Sequence, residues 1–594
     1  MLSLQTEPKT ILVTGANGFI GKWLVPVLLR RGHRVIAALR DVAQQEAGYR
    51  TWLTRRGLRE PDIRFVNLNL ENIIRFEQAL SPAESSIEVV FHLAAAFAWN
   101  LAPTQAQRIN VDASESLVRW AARLPLLQRF VWIGGYRIAA DEPGDETAWY
   151  RRLGGYEASK RIAHRHLIAE CTRLRLPWTA LNPAAVIGDS QDGETTQYLG
   201  IGEMVEQLFH GRLPALPGNP DTFIPLCHVD YVAEFAARIL DYAESANRQY
   251  WLLDPDTPRL HDLLRLVGSI LGVPVPQRFV STGVLKRLPA ALLPGAKETL
   301  SFLAEDRYDT VPAQVLAQRM GIDGLIKTRN LAPWIAKLVS ADFGSGAYRS
   351  NPVGHEPAQA GFERGQWVKR LPGDGTPIVY LHGLPLNGDS WDAVRSHLDN
   401  PAIIPDLPGM GRSGTVEAIG QAWLDRLVTE PAVLVGHSLG AGIALAFARR
   451  HPDKVKALVL VSPFFLQARP PMLLRVSSLG RLLFRLLPKT TFAHQIHPDG
   501  LNHVSIASAF TSLERPSVRV QTFTRLAQAS GESERARFRQ WLSELKQIPI
   551  HLIVGAQDPL LHLWNGPVTV IADTGHNPQL THPERIAEVV ARVA

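Results

Sequence analysis

Thr10-Ile11-Leu12-Val13-Thr14-Gly15-Ala16-Asn17-Gly18-Phe19-Ile20-Gly21 reads as a strand, a turn and the start of a helix. Ile11, Leu12 and Val13 make an apolar strand, and Lys22 to Arg31 continues in a helical pattern. Between them the glycines recur as Gly-x-x-Gly-x-x-Gly. Glycine allows a tight turn and a close approach of backbone to a pyrophosphate. The helix start supplies unpaired N–H groups and the positive end of its dipole. In this setting the stretch predicts a dinucleotide site at Gly15, Asn17, Gly18, Phe19, Ile20 and Gly21. Apolar strands then alternate with helical patterns at Arg34–Leu39, Ile63–Asn67, Val89–Leu93, Phe130–Ile133 and Trp178–Leu181. That rhythm predicts a Rossmann-type, doubly wound parallel sheet.

A second stretch decides the other half. Ala432-Val433-Leu434-Val435 is a buried strand, Gly436-His437-Ser438-Leu439-Gly440 a sharp turn, and Ala441 to Arg449 a helix. Gly-x-Ser-x-Gly between strand and helix lifts a serine hydroxyl above a sheet. It also sets the Leu439 N–H beside that serine as an oxyanion donor. Ser438, Asp558 after the strand Ile550–Gly555, and His576 after Val568–Ile571 follow in the order nucleophile, acid, base. His576 is expected to take the Ser438 proton, with Asp558 orienting the imidazole. His382-Gly383-Leu384, after the strand at Ile378, offers a second oxyanion N–H at Leu384. Asp406 reads as structural. Between Ser462 and Ile548 the strand rhythm stops, and an Arg-rich helical insertion, a lid of about 463–547, is expected. The short spacer between Asp558 and His576 predicts a reduced helix there.

The chain has 594 residues, 46% hydrophobic and 20% charged, with 45 Gly and 42 Pro, which are globular values. Its formal charge is +7, but the arginines are spread along the whole chain, so a solvated basic surface is expected rather than a nucleic-acid stripe. Two cysteines make no disulfide framework. No secretory signal pattern and no apolar run of membrane-spanning length is evident, so a cytoplasmic protein is expected. No metal site is expected. Gly, Ser, Pro and Asn crowd the stretch from Phe343 to Gly361. The expected organisation is therefore a nucleotide-binding domain over 1–342, a linker over 343–362, and a second α/β domain over 363–594.

Further residues carry two resemblances. Tyr156-Glu157-Ala158-Ser159-Lys160 joins the glycine turn, Asn69-Leu70, His92-Leu93-Ala94-Ala95 and Asn110. From about Thr10 to Gly321 the chain resembles the extended, epimerase-like branch of the short-chain dehydrogenase/reductase family. The resemblance implies that Asn69 and Leu70 lie at the adenine, that Ala94 lies at the cofactor and that Asn110 opens a helix. It further implies that Tyr156 and Lys160 serve proton transfer. They stand one helical turn apart, where an ammonium and an oxidised nicotinamide would favour tyrosinate. From about Gly365 to Ala594 the chain resembles the α/β-hydrolase family, to which Asp406-Leu407-Pro408-Gly409-Met410-Gly411-Arg412-Ser413 also conforms.

One departure stands out. Where the reductase family carries Ser or Thr after the fifth strand, this chain has Gly134-Gly135-Tyr136. Either a neighbour such as Tyr136 replaces the hydroxyl, or the domain binds cofactor without turnover. Cofactor choice turns on the end of the second strand, where Arg40 suits a 2′-phosphate. NADP is expected, with NAD as the alternative. The functional expectation is a bifunctional enzyme: an NADP-linked carbonyl reductase joined to a serine hydrolase that cleaves an ester, thioester or lactone. The alternatives are a hydrolase carrying a non-catalytic nucleotide-binding module and an assembly-line component that docks an acyl-carrier protein. The substrate is expected to be an apolar acyl or carbonyl compound.

Overall fold

The computed structural model describes residues 7–70, 86–138, 145–289, 300, 303, 307–328, 330–345, 359–420 and 422–594. They fall into two compact units. One comprises Met1–Ile201, Ala215–Leu263 and Gln277–Trp334; the other comprises Gly202–Pro214, Leu264–Pro276 and Ile335–Ala594. Most of the expected linker, 346–358, lies outside the described residues. The end of that linker differs from expectation: Gln359–Glu363 is a strand.

The first unit is built on seven strands: β1 (Thr10–Thr14), β2 (Arg34–Leu39), β3 (Ile63–Asn67), β4 (Val89–His92), β5 (Arg129–Ile133), β6 (Trp178–Pro183) and β7 (Arg248–Leu252). Their order is β7-β6-β5-β4-β1-β2-β3, and every pairing is parallel. β1 and β4 are buried along their whole length, as central strands covered on both faces must be. Ile11 and Val13 enter one core and Leu12 the other, following the two-residue alternation of a strand. The order reverses beside β1, so the crevice between the carboxyl ends of β1 and β4 is where a ligand fits. Helix α1 (Phe19–Arg30) leaves that crevice, and helix α2 (Gly155–Arg173) carries the Tyr156 and Lys160 pair.

The second unit has eight strands: β8 (Gln359–Glu363), β9 (Gln366–Leu371), β10 (Ile378–Leu381), β11 (Ala402–Pro405), β12 (Ala432–His437), β13 (Val455–Val461), β14 (Ile550–Gly555) and β15 (Val568–Ile571). Their order is β8-β9-β11-β10-β12-β13-β14-β15. β8 and β9 pair antiparallel, β9 also runs antiparallel to β11, and the remaining pairings are parallel. The antiparallel hairpin escapes a reading keyed to buried runs because β8 is half-buried and polar. β12 is buried throughout and feeds helix α3 (Leu439–Arg450). Between β13 and β14 stands the helical insertion, which includes α4 (Ser477–Leu486), α5 (Val504–Ser512), α6 (Pro516–Ala529) and α7 (Glu532–Glu544). No helix lies between β14 and β15, so the reduction there is complete.

Candidate functional site

In the second unit the chain turns so sharply at Ser438 that this residue takes φ 50°, ψ −107°. A side chain tolerates that region only when its surroundings hold it. Burial of β12 on one side and the start of α3 on the other do so. His576 Nε2 lies 3.0 Å from Ser438 Oγ, and His576 Nδ1 lies 2.5 Å from Asp558 Oδ2. The carboxylate accepts from Nδ1–H, which leaves Nε2 as the acceptor of the serine proton. The three side chains proposed from the sequence therefore form one hydrogen-bonded line, although they come from three strand ends.

The two oxyanion candidates are also brought close. Leu439 is the first residue of α3, so its N–H lies at a helix N-terminus. Leu384 follows Gly383, where an added Cβ would stand 2.9 Å from Ser438 Cβ and 2.4 Å from His437 Nδ1. Only glycine lets the Leu384 loop lie this near the turn. His382 anchors the same loop: its Nδ1–H donates to Gly383 O, while its Nε2 accepts from Leu407 N–H. Asp406 is buried and accepts from the N–H groups of Gly388 and Arg412, which is a structural role.

His437 is a site residue that the sequence did not single out. It is fully buried, and its Nε2–H donates to His576 O at 2.8 Å. Its ring centroid lies 5.1 Å from that of His576. Burial, with His576 beside it, holds its pKa well below the ordinary histidine range, so it stays neutral. Its Nδ1 has no partner among the described residues and faces Gly383. One ring thus braces both the loop of the base and the loop of Leu384. The motif contained this residue, but nothing in the spacing showed where its hydrogen bond would go.

Beside the turn lies a cavity of about 180 Å³ lined by apolar side chains such as Leu407, Leu439 and Phe464 and by the polar Arg525, Gln528 and Glu534. A cavity of about 150 Å³ accommodates benzene, so this one has room for several carbons of an acyl chain.

In the first unit, Gly15 has φ +69°, and an added Cβ would lie 2.7 Å from Ala94 N. The glycine turn is thus pressed against the end of β4, where Ala94 was expected. Thr14 and His92 are register partners on β1 and β4. The Thr14 hydroxyl donates to His92 Nδ1 at 2.8 Å, and His92 Nε2–H donates to Ser114 Oγ, which in turn donates to Asn110 O. Burial, aided by the Lys160 charge, lowers the His92 pKa to about 3, so the ring is a fixed neutral strut. Neither Thr14 nor His92 had been assigned this joint task.

Asn110 does not open a helix. It sits in a π-helical turn, Gln107–Asp112, within a longer helical run. The wider turn lets its amide bond both Ala96 N and Ala96 O and reach Ser159 Oγ. Lys160 Nζ donates to Ile133 O at 2.9 Å, which fixes the ammonium at the end of β5. Burial brings its pKa down to about 8. Tyr156 packs against Phe97 with ring centroids 4.6 Å apart, and burial, with Glu157 adding to it, pushes its pKa up. The downward shift expected of Tyr156 is therefore absent from the chain alone, since one of the two cations invoked for it belongs to the bound cofactor.

At Gly134 an added Cβ would lie 2.1 Å from Asn182 Oδ1; at Gly135 its nearest neighbour would be Ile138 Cδ1, at 3.9 Å. The space at the first glycine is filled by a buried amide, whereas the second is open. The Tyr136 ring packs edge-on against Tyr308. At the end of β2, Asp41 caps the next helix by accepting from Gln44 N–H. Arg40 is exposed and makes no ion pair among the described residues. Asn69 and Leu70 follow β3. The close-packed glycine turn and the helix start suit a dinucleotide.

Comparison with known proteins agrees with both halves. The model of the NAD dependent epimerase/dehydratase family matches residues 11–252, and that of the alpha/beta hydrolase family matches residues 378–589. A pimeloyl-[acyl-carrier protein] methyl ester esterase of Aromatoleum aromaticum is 30% identical over 244 residues, 36% of this chain and 97% of the relative. An esterase described in the same words from Neisseria meningitidis serogroup C is 29% identical over 37% of this chain and 93% of its own length. Among solved structures, the terminal R domain of the myxalamid PKS-NRPS pathway is similar at 19% identity and a TM-score of 0.45, covering 58% of this chain and 93% of that one. The chain belongs to the α/β-hydrolase family in its second half and carries a domain of the NAD dependent epimerase/dehydratase family in its first.

Proposed function

We propose that the second domain is a serine hydrolase cleaving an ester, thioester or lactone of an apolar acyl group. The observation that carries this reading is the hydrogen-bonded line Ser438–His576–Asp558, with a cavity beside the Ser438 turn whose lining is partly apolar. Ser438 Oγ attacks the acyl carbon while His576 Nε2 accepts its proton. The carbonyl oxygen gains negative charge and is met by the N–H groups of Leu439 and Leu384. His576 then returns the proton to the leaving oxygen or sulfur, and water releases the acyl group by the same route. Asp558 keeps the imidazole in the required tautomer. An acyl-carrier protein as the bearer of the acyl group is supported by the relatives described as pimeloyl-[acyl-carrier protein] methyl ester esterases. The test is labelling by a fluorophosphonate together with hydrolysis of short p-nitrophenyl esters: both should occur and both should vanish in Ser438→Ala.

The first domain is proposed to be an NADP-linked carbonyl reductase. Gly15, Asn17, Gly18, Phe19, Ile20 and Gly21 would hold the pyrophosphate, Arg40 the 2′-phosphate, Asn69 and Leu70 the adenine, and Ala94 the adjoining ribose region. The cofactor supplies or removes a hydride when bound. Tyr156 would pass the proton, and Lys160, fixed on Ile133 O, would support it with its charge. A second reading, a nucleotide-binding module without turnover, is favoured by the filled space at Gly134 and the absence of a hydroxyl at Gly135. NADPH oxidation across a panel of carbonyl compounds separates the two.

A further inference from the structure

The helical insertion presents an outer surface that neither proposed active site uses. Within α4, Gly480 and Phe484 face inward and are buried. Phe484 packs on Phe510 and Phe523, and Gly480 leaves room for the Phe523 ring. One side of the helix is therefore committed to the core of the insertion. The other side presents Leu482 and Leu486, one turn apart, with Leu487 after them. The short turn Met472–Arg475 packs against α4 and adds Met472, Leu473 and Val476. These six large aliphatic side chains are between 43% and 79% exposed. Single exposed leucines are ordinary, but six within one helix and the turn beside it form a patch that requires an explanation.

Charge says what covers it. No Asp or Glu occurs between Asp453 and Asp499. Arg475, Arg481 and Arg485 lie among the aliphatics and make no ion pair among the described residues. The nearby Glu514 is engaged by Lys489. The occupant must accept protruding aliphatic chains and offer anions around them. An anionic phospholipid surface does both: acyl chains receive the leucines, and headgroup phosphates meet guanidinium groups. We propose that the outer face of Met472–Leu487 is a membrane-surface anchor that seats this chain on anionic lipid. The anchor lies on the surface of the bilayer, since no helix among the described residues is long and apolar enough to cross it. The proposal is independent of the catalytic reading.

The test is flotation of the full chain with vesicles of phosphatidylcholine alone or of equimolar phosphatidylcholine and phosphatidylglycerol. The wild type should float with the anionic vesicles and be released as salt rises, because the Debye length shrinks to about 3 Å at 1 M. Arg481→Gln/Arg485→Gln should lower partitioning about thirtyfold, at the usual contribution of a cation near such a surface. Leu482→Ser/Leu486→Ser should lower it at least tenfold. Both variants should keep the wild-type melting profile, since the altered groups point outward, and Leu126→Ser, at an exposed leucine of the first unit, should float as wild type does. Failure of the wild type to float, or variants that float equally well, would overturn the proposal. So would binding of a purified acidic acyl-carrier protein that depends on Arg481 and Leu486 when vesicles are not bound, because it would assign the patch to a protein partner.

Discussion

The ends of two strands, β12 in the second unit and β5 in the first, solve the same problem in opposite ways. At the end of β12 a serine is forced to φ 50° and is surrounded by groups that explain the strain: His576, the Gly383 loop and the start of α3. At the end of β5 a serine or threonine was expected, and two glycines stand there instead. Asn182 occupies the room beside the first, with both its amide atoms buried and without partners among the described residues. In one region Ser438, His576 and Asp558 are joined into a line with a direction for the proton. In the other the Lys160 ammonium is fixed but the usual hydroxyl is missing. A motif thus specifies chemistry only where its surroundings close around it, and the β12 end meets that condition more fully.

The largest effect that could break this comparison is at Ser438. Ser438→Ala should reduce ester hydrolysis to background, a loss that reaches about a million-fold in serine hydrolases. His576→Ala should fall about as far and Asp558→Asn less. Fluorophosphonate labelling that persists in Ser438→Ala would remove the second unit's side of the contrast. Arg40→Ala should weaken NADPH binding about ten- to a hundredfold while leaving NADH nearly unchanged, by titration of cofactor fluorescence. Equal losses would show that Arg40 does not read the 2′-phosphate.

His437→Phe keeps a buried ring but deletes the hydrogen bond to His576 O, and kcat should fall about tenfold with KM little altered. His437→Gln, which can still donate at that position, should recover most of the loss. The pH profile of kcat/KM should move in the Phe variant and return in the Gln variant, which a purely structural role would not require. The two glycines should also differ. Gly134→Ser must displace Asn182 and should destabilise the first unit by about 1–3 kcal/mol, seen as a lower melting temperature. Gly135→Ser should fold as wild type does. A rise in NADPH oxidation in Gly135→Ser would sharpen the comparison, because the hydroxyl alone would then be what the β5 end lacks. Finally, any reductase rate should decline as pH rises through about 8, where Lys160 loses its proton, and Lys160→Met should remove that limb.

Much of this molecule was legible before any coordinates. The glycine turn at Gly15 to Gly21 and the turn around Ser438 each sit between a buried apolar run and a helical pattern. Local sterics permit few conformations there, so chain order alone indicated six of the seven strands of the first sheet, six of the eight of the second and the insertion, but not β7; it also named the three residues that the structure joins by hydrogen bonds. The hairpin of β8 and β9 was not legible, because β8 is half-buried and the buried part of β9 includes the polar Gln366 and Lys369, so neither reads as an apolar run. Nor was the π turn that carries Asn110, whose geometry depends on the amide's partners at Ala96 and Ser159. Only the tertiary structure showed that His437 braces two loops, that Asn182 fills the space at Gly134, and that Met472, Leu473, Val476, Leu482, Leu486 and Leu487 face outward. Each of these depends on which distant residue stands within a few ångströms, and that distance is set by packing between elements, which neighbours in sequence do not determine.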